Sequence, residues 1–435
     1  MTHRTVRTVR TAAAALALTT VFALAGCGDD DAGSPSAATR PDKLVVWLQP
    51  EAEKGWPDLL ATVNKAFTSR TGVPVEVQTQ QWDSHLAKLD TALTGRTPPD
   101  VVELGNTETT KYLAAGAFDD LGPHLGDFEN SGTWVQGLKD SCTFDGKVMC
   151  VPYYGGSRAV IYNTELFAKA GITTPPTSLD ELFADAATLE KTFGSDPAFS
   201  AFYLPGKNTK ASLAFVIDAG GAIATQDGGT WKGALDSAEA RSGLASFKSL
   251  VDRFSTADRT GDESKQDATF AKGKIAMMYG LSWEPGAIID PASGGDPAMK
   301  GKIGVFPMPS RTPGKTMPVF LGGSDLAVPA NSPNQELARQ WIAEYTSTES
   351  MTAIAGTGLV PNTTSLLDRT PPEAKPFAEA AQQTFFVPVA PGWATVESKG
   401  VLDRLNVSIL TGKATIDEAT TTASTAITET LNESP

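Results

Sequence analysis

LVVWLQPEAEKGWPDLLATVNKAFTSRTGVPVEV, residues 44–77, is the stretch whose reading decides the fold. Leu44-Val45-Val46-Trp47-Leu48 is an apolar run too short for a helix, the mark of a buried strand. Trp56, Leu59, Leu60, Val63 and Phe67 then recur on one helical face, and Val73-Pro74-Val75-Glu76-Val77 supplies a second strand. Beyond it, Trp82, His85, Leu86, Leu89 and Leu93 make a further helical stripe, and Pro98-Pro99-Asp100-Val101-Val102-Glu103-Leu104 a third strand. This alternation predicts an open α/β layer with helices on both faces. Ligands in such a sheet sit beyond the carboxyl ends of the strands, which selects Gln49–Glu53, Gln80–Trp82 and Gly105–Thr107 as candidate loops.

Further along, Leu179, Leu182, Phe183, Ala186 and Leu189 line another helical face, and Leu244, Phe247 and Val251 another. Residues 211–218 are apolar, and Gly220-Gly221, Asp227-Gly228-Gly229 and Gly294-Gly295 punctuate the chain as loops. A strand at Ile275–Tyr279 runs into the turn Gly280-Leu281-Ser282-Trp283-Glu284-Pro285-Gly286. Helices follow around Leu337, Trp341, Ile342 and Tyr345, at 401–410 and at 420–430; no internal repeat is visible.

Residues 1–27 read as an export signal: Arg4, Arg7 and Arg10, an apolar stretch from Ala12 to Leu24, then Leu24-Ala25-Gly26-Cys27. The ending resembles the lipobox of bacterial lipoproteins, which implies that Cys27 carries the lipid and begins the mature chain. Residues 28–42, GDDDAGSPSAATRPD, have the composition of a flexible tether. The remainder of the 435-residue chain is long enough for two domains. The whole chain's formal charge of −14, with no run of Lys or Arg, disfavours nucleic acid, and nothing after residue 27 has the length of a membrane span. Cys142 and Cys150 bracket Asp145-Gly146, a favoured hairpin dipeptide, so a disulfide outside the cell is expected there. A metal or redox pair is the weaker alternative, because no histidine is near and the spacing is not Cys-x-x-Cys.

An enzyme needs reacting groups, and the chain is poor in them. After the leader only His85 and His124 remain, which leaves no hydrolytic zinc spacing, and no metal or other cofactor is expected. His85 lies on a helical stripe and reads as structural. No nucleophile elbow, dinucleotide fingerprint or Gly-x-x-x-x-Gly-Lys-Ser/Thr loop occurs. Paired carboxylates for glycosidic cleavage stay open, since 50 acidic residues allow many pairs. The chain does place aromatic residues in predicted loops: Trp283, Trp393 in Ala390-Pro391-Gly392-Trp393, and Tyr153-Tyr154 before Gly155-Gly156. Their flat apolar faces suit the C–H face of a sugar ring. Trp47, Trp56, Trp82 and Trp341 lie within apolar patterns and read as core.

Five blocks carry a resemblance: PPDVVELGNTETTKYLAAGAFDDL (98–121), VPYYGGSRAVIYNTELFAKAGI (151–172), FAKGKIAMMYGLSWEPGAI (270–288), GKTMPVFLGGSDLAVPANSPNQELARQWIAEY (314–345) and GLVPN (358–362). In this order behind a lipobox, the chain resembles the extracytoplasmic sugar-binding lipoproteins of bacterial ATP-driven (ABC) importers, the group of maltose-binding protein. The first two blocks look most like members assigned to chitobiose and N-acetylglucosamine uptake. The resemblance implies a two-lobed periplasmic-binding-protein-like α/β fold with a hinge and an interlobe cleft. Lobe 1 would hold 43–153 and 318–360, and lobe 2 would hold 154–317 and 361–435. It also implies ligand contacts from Gln49 and Glu51, from Asn106 and Thr107, from Tyr203, and from the stacking aromatics Trp283 and Trp393, with Tyr154 added from its loop position. The implied partners are a neutral mono- or oligosaccharide and the permease subunits of an ABC transporter, with a monomer held to the outer face of the cell membrane by its lipid. A surface-anchored glycoside-processing enzyme and a sensing or adhesion lipoprotein are the alternatives.

Overall fold

The computed structural model describes residues 40–433 except Asp83 and Arg96; the leader, Cys27 and most of the tether lie outside the described residues. Strand β1 (Leu44–Leu48) buries Leu44, Val46 and Leu48 and leaves the alternate residues half-buried. Two helices follow, α1 (Pro50–Gly55) and α2 (Pro57–Thr71), each opened by a proline whose missing N–H costs nothing at a helix start. Helix α2 buries Leu60, Val63 and Phe67 and ends at Gly72, whose φ of 70° is open to glycine; the Gly72 N–H closes the last turn on the Thr68 carbonyl at 2.8 Å. Strand β2 (Val75–Thr79) pairs in parallel with β1, Leu44 opposite Val75 through Leu48 opposite Thr79. Helix α3 (His85–Thr94), strand β3 (Val101–Gly105) and helix α4 (Asn106–Ala114) complete the N-terminal winding, with β3 parallel to β1 on its other side. Buried Asp100 fixes the start of the layer: its carboxylate accepts from the Val45 N–H at 2.8 Å and from Ser332 at 2.7 Å.

The expected α/β layer is therefore present, but two of its six strands, Gly322–Ala327 and Val360–Pro361, run the other way. The six-stranded sheet has the order Val360–Pro361, Val151–Gly156, Gly322–Ala327, β3, β1, β2. Gly322–Ala327 pairs antiparallel with both β3 and Val151–Gly156, so a strand more than two hundred residues downstream closes the parallel half. One large core under this sheet includes Phe67, Tyr153, Trp341, Tyr345 and Ile354.

A second, larger core gathers Phe202, Phe215, Phe247, Trp393, Ile409 and Ile427. It is covered by helices Leu179–Phe193, Thr209–Asp218, Ala238–Phe254, Val401–Leu410 and Ile416–Asn432, in agreement with their sequence periodicity. Beside it, strands Met277–Leu281 and Ile303–Phe306 flank Arg158–Asn163, both antiparallel. Ser157 alone separates the strand of the first sheet from that of the second. The chain thus stays in the first sheet through Gly156, three residues beyond the expected handover. It returns at Gly322, after Val319–Phe320 has paired with Thr384–Phe385, and Leu366 still packs in the first core.

Cys142 and Cys150 are bonded to each other. Between them Thr143–Phe144 and Lys147–Val148 form a hairpin in which Asp145 and Gly146 have φ of 49° and 75°, the two positive values that a two-residue primed turn requires. Both half-cystines are buried beside Leu104 and Phe118. Among the described residues no helix is long and apolar enough to cross a membrane.

Candidate binding cleft

A cavity of about 780 Å³ lies where the first sheet meets the second, lined by Glu51, Trp56, Trp82 and Tyr154 from the first and by Arg158, Lys210, Trp283 and Phe320. Among the described residues, Trp82 and Trp283 are the exposed large apolar side chains, 39% and 55% accessible, and both open into this one cavity. Exposed indoles cost solvation free energy, so two of them facing one hollow mark a surface built to be covered.

The Trp283 side is built from a turn. Strand Met277–Leu281 ends there, and the Glu284 carboxylate folds back to accept the Leu281 N–H at 2.5 Å. Gln266 donates its amide to both Glu284 oxygens at 2.9 and 3.0 Å and to the Tyr279 carbonyl at 3.1 Å. Gly280 leaves the space this carboxylate fills: a β-carbon there would lie 2.4 Å from Glu284 Oε2. Burial pushes the Glu284 carboxyl up to about 7, against the pull of the Leu281 and Gln266 hydrogen bonds. The Trp283 ring lies over the backbone of Gly156, where a β-carbon would come within 2.8 Å of it.

Opposite, Trp82 donates its indole N–H to the Glu51 carboxylate at 3.0 Å. Trp56 packs edge-on against Tyr154 at 5.3 Å and donates to the Tyr153 and Tyr345 hydroxyls at 2.7 and 2.9 Å, which fixes the apolar floor. Two cations meet the cavity from the second side. Arg158 pairs with Glu263, which also accepts from Asn208 at 2.8 Å, and the Lys210 ammonium stands 4.4 Å over the Phe320 ring and 3.3 Å from Glu397. Burial pulls the Lys210 pKa down.

Of the ligand contacts implied by the resemblance or by loop position, Glu51, Tyr154 and Trp283 line this cavity and the others do not, while the candidate loop Gln80–Trp82 reaches it through Trp82. Gln49 is fully buried beneath it, its backbone N–H held by Glu103 at 2.8 Å. Burial pushes the Glu103 carboxyl up to about 7, offset by that bond and by Ser324. Asn106 is buried and spends its amide on the Leu321 carbonyl at 2.8 Å, tying α4 to the returning chain; Thr107 is half-buried beside it. Tyr203 continues the edge of the second sheet, its N–H on the Met277 carbonyl at 2.7 Å, and packs near Ile275 and Met278. Trp393 is the largest correction: it is 1% exposed, inside the second core. Gly392 presses on the C-terminal helix, where a β-carbon would meet the Thr430 carbonyl at 2.5 Å, and this contact turns the next side chain inward.

Trp56 and Trp82, read as core, both reach the cavity. The helical stripe misplaces Trp82 because α3 begins only at His85, leaving Trp82 in the turn before it. Arg158 left one usable signal, a lone charge inside the apolar run Ala159-Val160-Ile161 and its glycine-rich approach.

The family model described as bacterial extracellular solute-binding protein matches residues 62–382. The chain belongs to this family. As a bacterial extracellular solute-binding protein it is a binding protein rather than an enzyme, and it works outside the cytoplasm. Diacetylchitobiose binding protein DasA of Streptomyces coelicolor is 31% identical over 409 residues, 92% of this chain and 93% of its own. Among solved structures, the sugar-binding protein MalE of Xanthomonas citri superposes with a TM-score of 0.78 at 18% identity, covering 89% of this solute-binding protein and 97% of MalE. An ABC transporter solute-binding protein of Thermotoga lettingae, bound with α-D-tagatose, gives 0.71 at 23% identity over 90% and 100% of the two chains. At these identities the structures speak for the fold, which is the two-lobed α/β architecture.

Proposed function

We propose that this protein captures a neutral mono- or oligosaccharide, of the diacetylchitobiose and N-acetylglucosamine class, and hands it to the permease of an ABC importer. The observation that carries the reading is the pair of exposed indoles, Trp82 and Trp283, facing one cavity from its two sides. The full-length similarity to DasA supports the sugar class. Lobe 1 is the body on the six-stranded sheet and lobe 2 the body on the three-stranded sheet, with a hinge at the crossings near Ser157 and Leu321. Indole stacking supplies affinity, while Glu51, Tyr154, Arg158 and Lys210 supply polar selection. A ligand touching both lobes stabilises the closed form by its differential affinity for it, and the permease distinguishes that form from the empty one. Cys27 carries the lipid that holds a monomer at the outer face of the cell membrane, with residues 28–42 as its tether.

Isothermal titration against diacetylchitobiose, N-acetylglucosamine, maltose, cellobiose and xylobiose tests the reading. Saturable binding of an N-acetylated sugar, tighter than any of the others, is expected; silence across the panel and a wider glycan set overturns it. Intact mass of the native protein tests the anchor, since a mature N-terminus other than residue 27 contradicts it.

A further inference from the structure

Both ring nitrogens of His85 face oxygens placed to accept. Nδ1 lies 3.0 Å from the Trp82 carbonyl and Nε2 lies 2.9 Å from Glu108 Oε2. That same carboxylate oxygen also takes the Gly105 backbone N–H at 3.0 Å. A neutral imidazole has one N–H and one lone pair, so it serves one of these acceptors and sets its lone pair against the other. The imidazolium serves both. With the ring 2% exposed, solvent has little access to relieve the mismatch in the neutral form.

The ring also bears on Trp82. Their centroids are 5.2 Å apart with planes at 87°, an edge contact. Trp82 sits in the turn before α3, which the Ser84 and His85 N–H groups close on the Gln81 carbonyl at 3.0 and 2.9 Å; its indole is oriented by the His85 ring edge and the Glu51 carboxylate. We propose that His85 and Glu108 form a protonation-dependent brace that positions Trp82 in the cleft wall, so that ligand affinity falls as pH rises through the His85 titration. This rests on the reading of Trp82 as ligand-facing.

Among the described residues, the charged groups at the ring favour its cationic form: Glu108 from α4 and Glu103 from β3. Burial pushes the His85 pKa down, but the Glu108 hydrogen bond and charge outweigh it, leaving it above the ordinary 6.5. A raised folded-state value makes the brace complete below 6.5 and lost as pH rises through that higher value.

Two ligand-free measurements on the mature protein decide it. Histidine ring NMR, assigned with His124→Gln, should show His85 titrating above 6.5 in the wild type and lower in Glu108→Gln. Trp82 emission, taken as wild type minus Trp82→Phe, should step at the same midpoint. His85 titrating at or below 6.5, or Trp82 emission without a step at the imidazole midpoint, overturns the brace; neither reading needs Glu108→Gln, so both stand even where that variant fails to fold. With diacetylchitobiose as probe, affinity should weaken several-fold across that midpoint, and unchanged affinity overturns the link to the ligand. Absence of diacetylchitobiose binding at every pH counts against the sugar reading, while the ligand-free arms still decide the brace.

Discussion

Trp283 and Trp393 each follow a glycine-containing turn at the edge of the same half of the molecule, yet one is 55% exposed and the other 1%. Under Trp283 the turn is held from behind by Glu284 and Gln266, and the ring is left lying over the Gly156 backbone at the cavity. Before Trp393, Gly392 packs directly on the Ile416–Asn432 helix, so the indole has a core to enter and enters it. What the turn packs against decides whether a ring stays exposed at the cavity or enters a core.

The largest effect expected from this contrast is on stability. Trp393→Ala should cost about 3–5 kcal/mol in denaturant unfolding, the range for truncating a buried aromatic, while the folded fraction keeps its sugar affinity. Lost affinity at unchanged stability would reverse the roles assigned to the two indoles. Trp283→Ala should do the opposite, weakening diacetylchitobiose binding by about 1–3 kcal/mol in calorimetry. Its unfolding free energy should move by no more than about 0.5 kcal/mol.

Gly156→Ala sharpens the comparison without removing a ring. Its methyl would meet the Trp283 edge, so the indole must shift, and a loss of about 1 kcal/mol in binding is expected with the core untouched. The smallest effect is electrostatic. Glu284 titrates near 7 when folded, above its ordinary 4.5, so the native state binds more protons than the unfolded chain in that interval. Its contribution therefore declines as pH rises from 4.5 through 7. Glu284→Gln should flatten the thermal stability profile in that interval, whereas Trp393→Phe should leave the slope alone.

The local devices of this fold were legible in the chain. The short run Leu44–Leu48, the α2 stripe ending at Gly72, and the hairpin between Cys142 and Cys150 each depend on near neighbours. The insertion of Gly322–Ala327 beside β3 was not legible, because its pairing is set by contacts two hundred residues away. The same limit governed the site. Glu51 follows the end of β1, where the α/β rule points, and Trp283 stands in the turn that places it; Tyr154, expected in a loop, lies within strand Val151–Gly156, and all three reach the cavity. Trp82 satisfied a helical stripe that the helix itself does not use, and Asn106 was consumed by a carbonyl from the returning strand segment. Orientation of an aromatic or an amide is a property of its packed surroundings, which one-dimensional spacing does not contain.

The central claim is that ligand is held between the two exposed indoles. Calorimetric titration of diacetylchitobiose into the wild type, Trp82→Ala/Trp283→Ala and Trp393→Phe, with folding of each checked by circular dichroism, tests it most directly. The account predicts saturable binding to the wild type and to Trp393→Phe, and no measurable binding to the folded double variant. Undiminished binding to the double variant would contradict it.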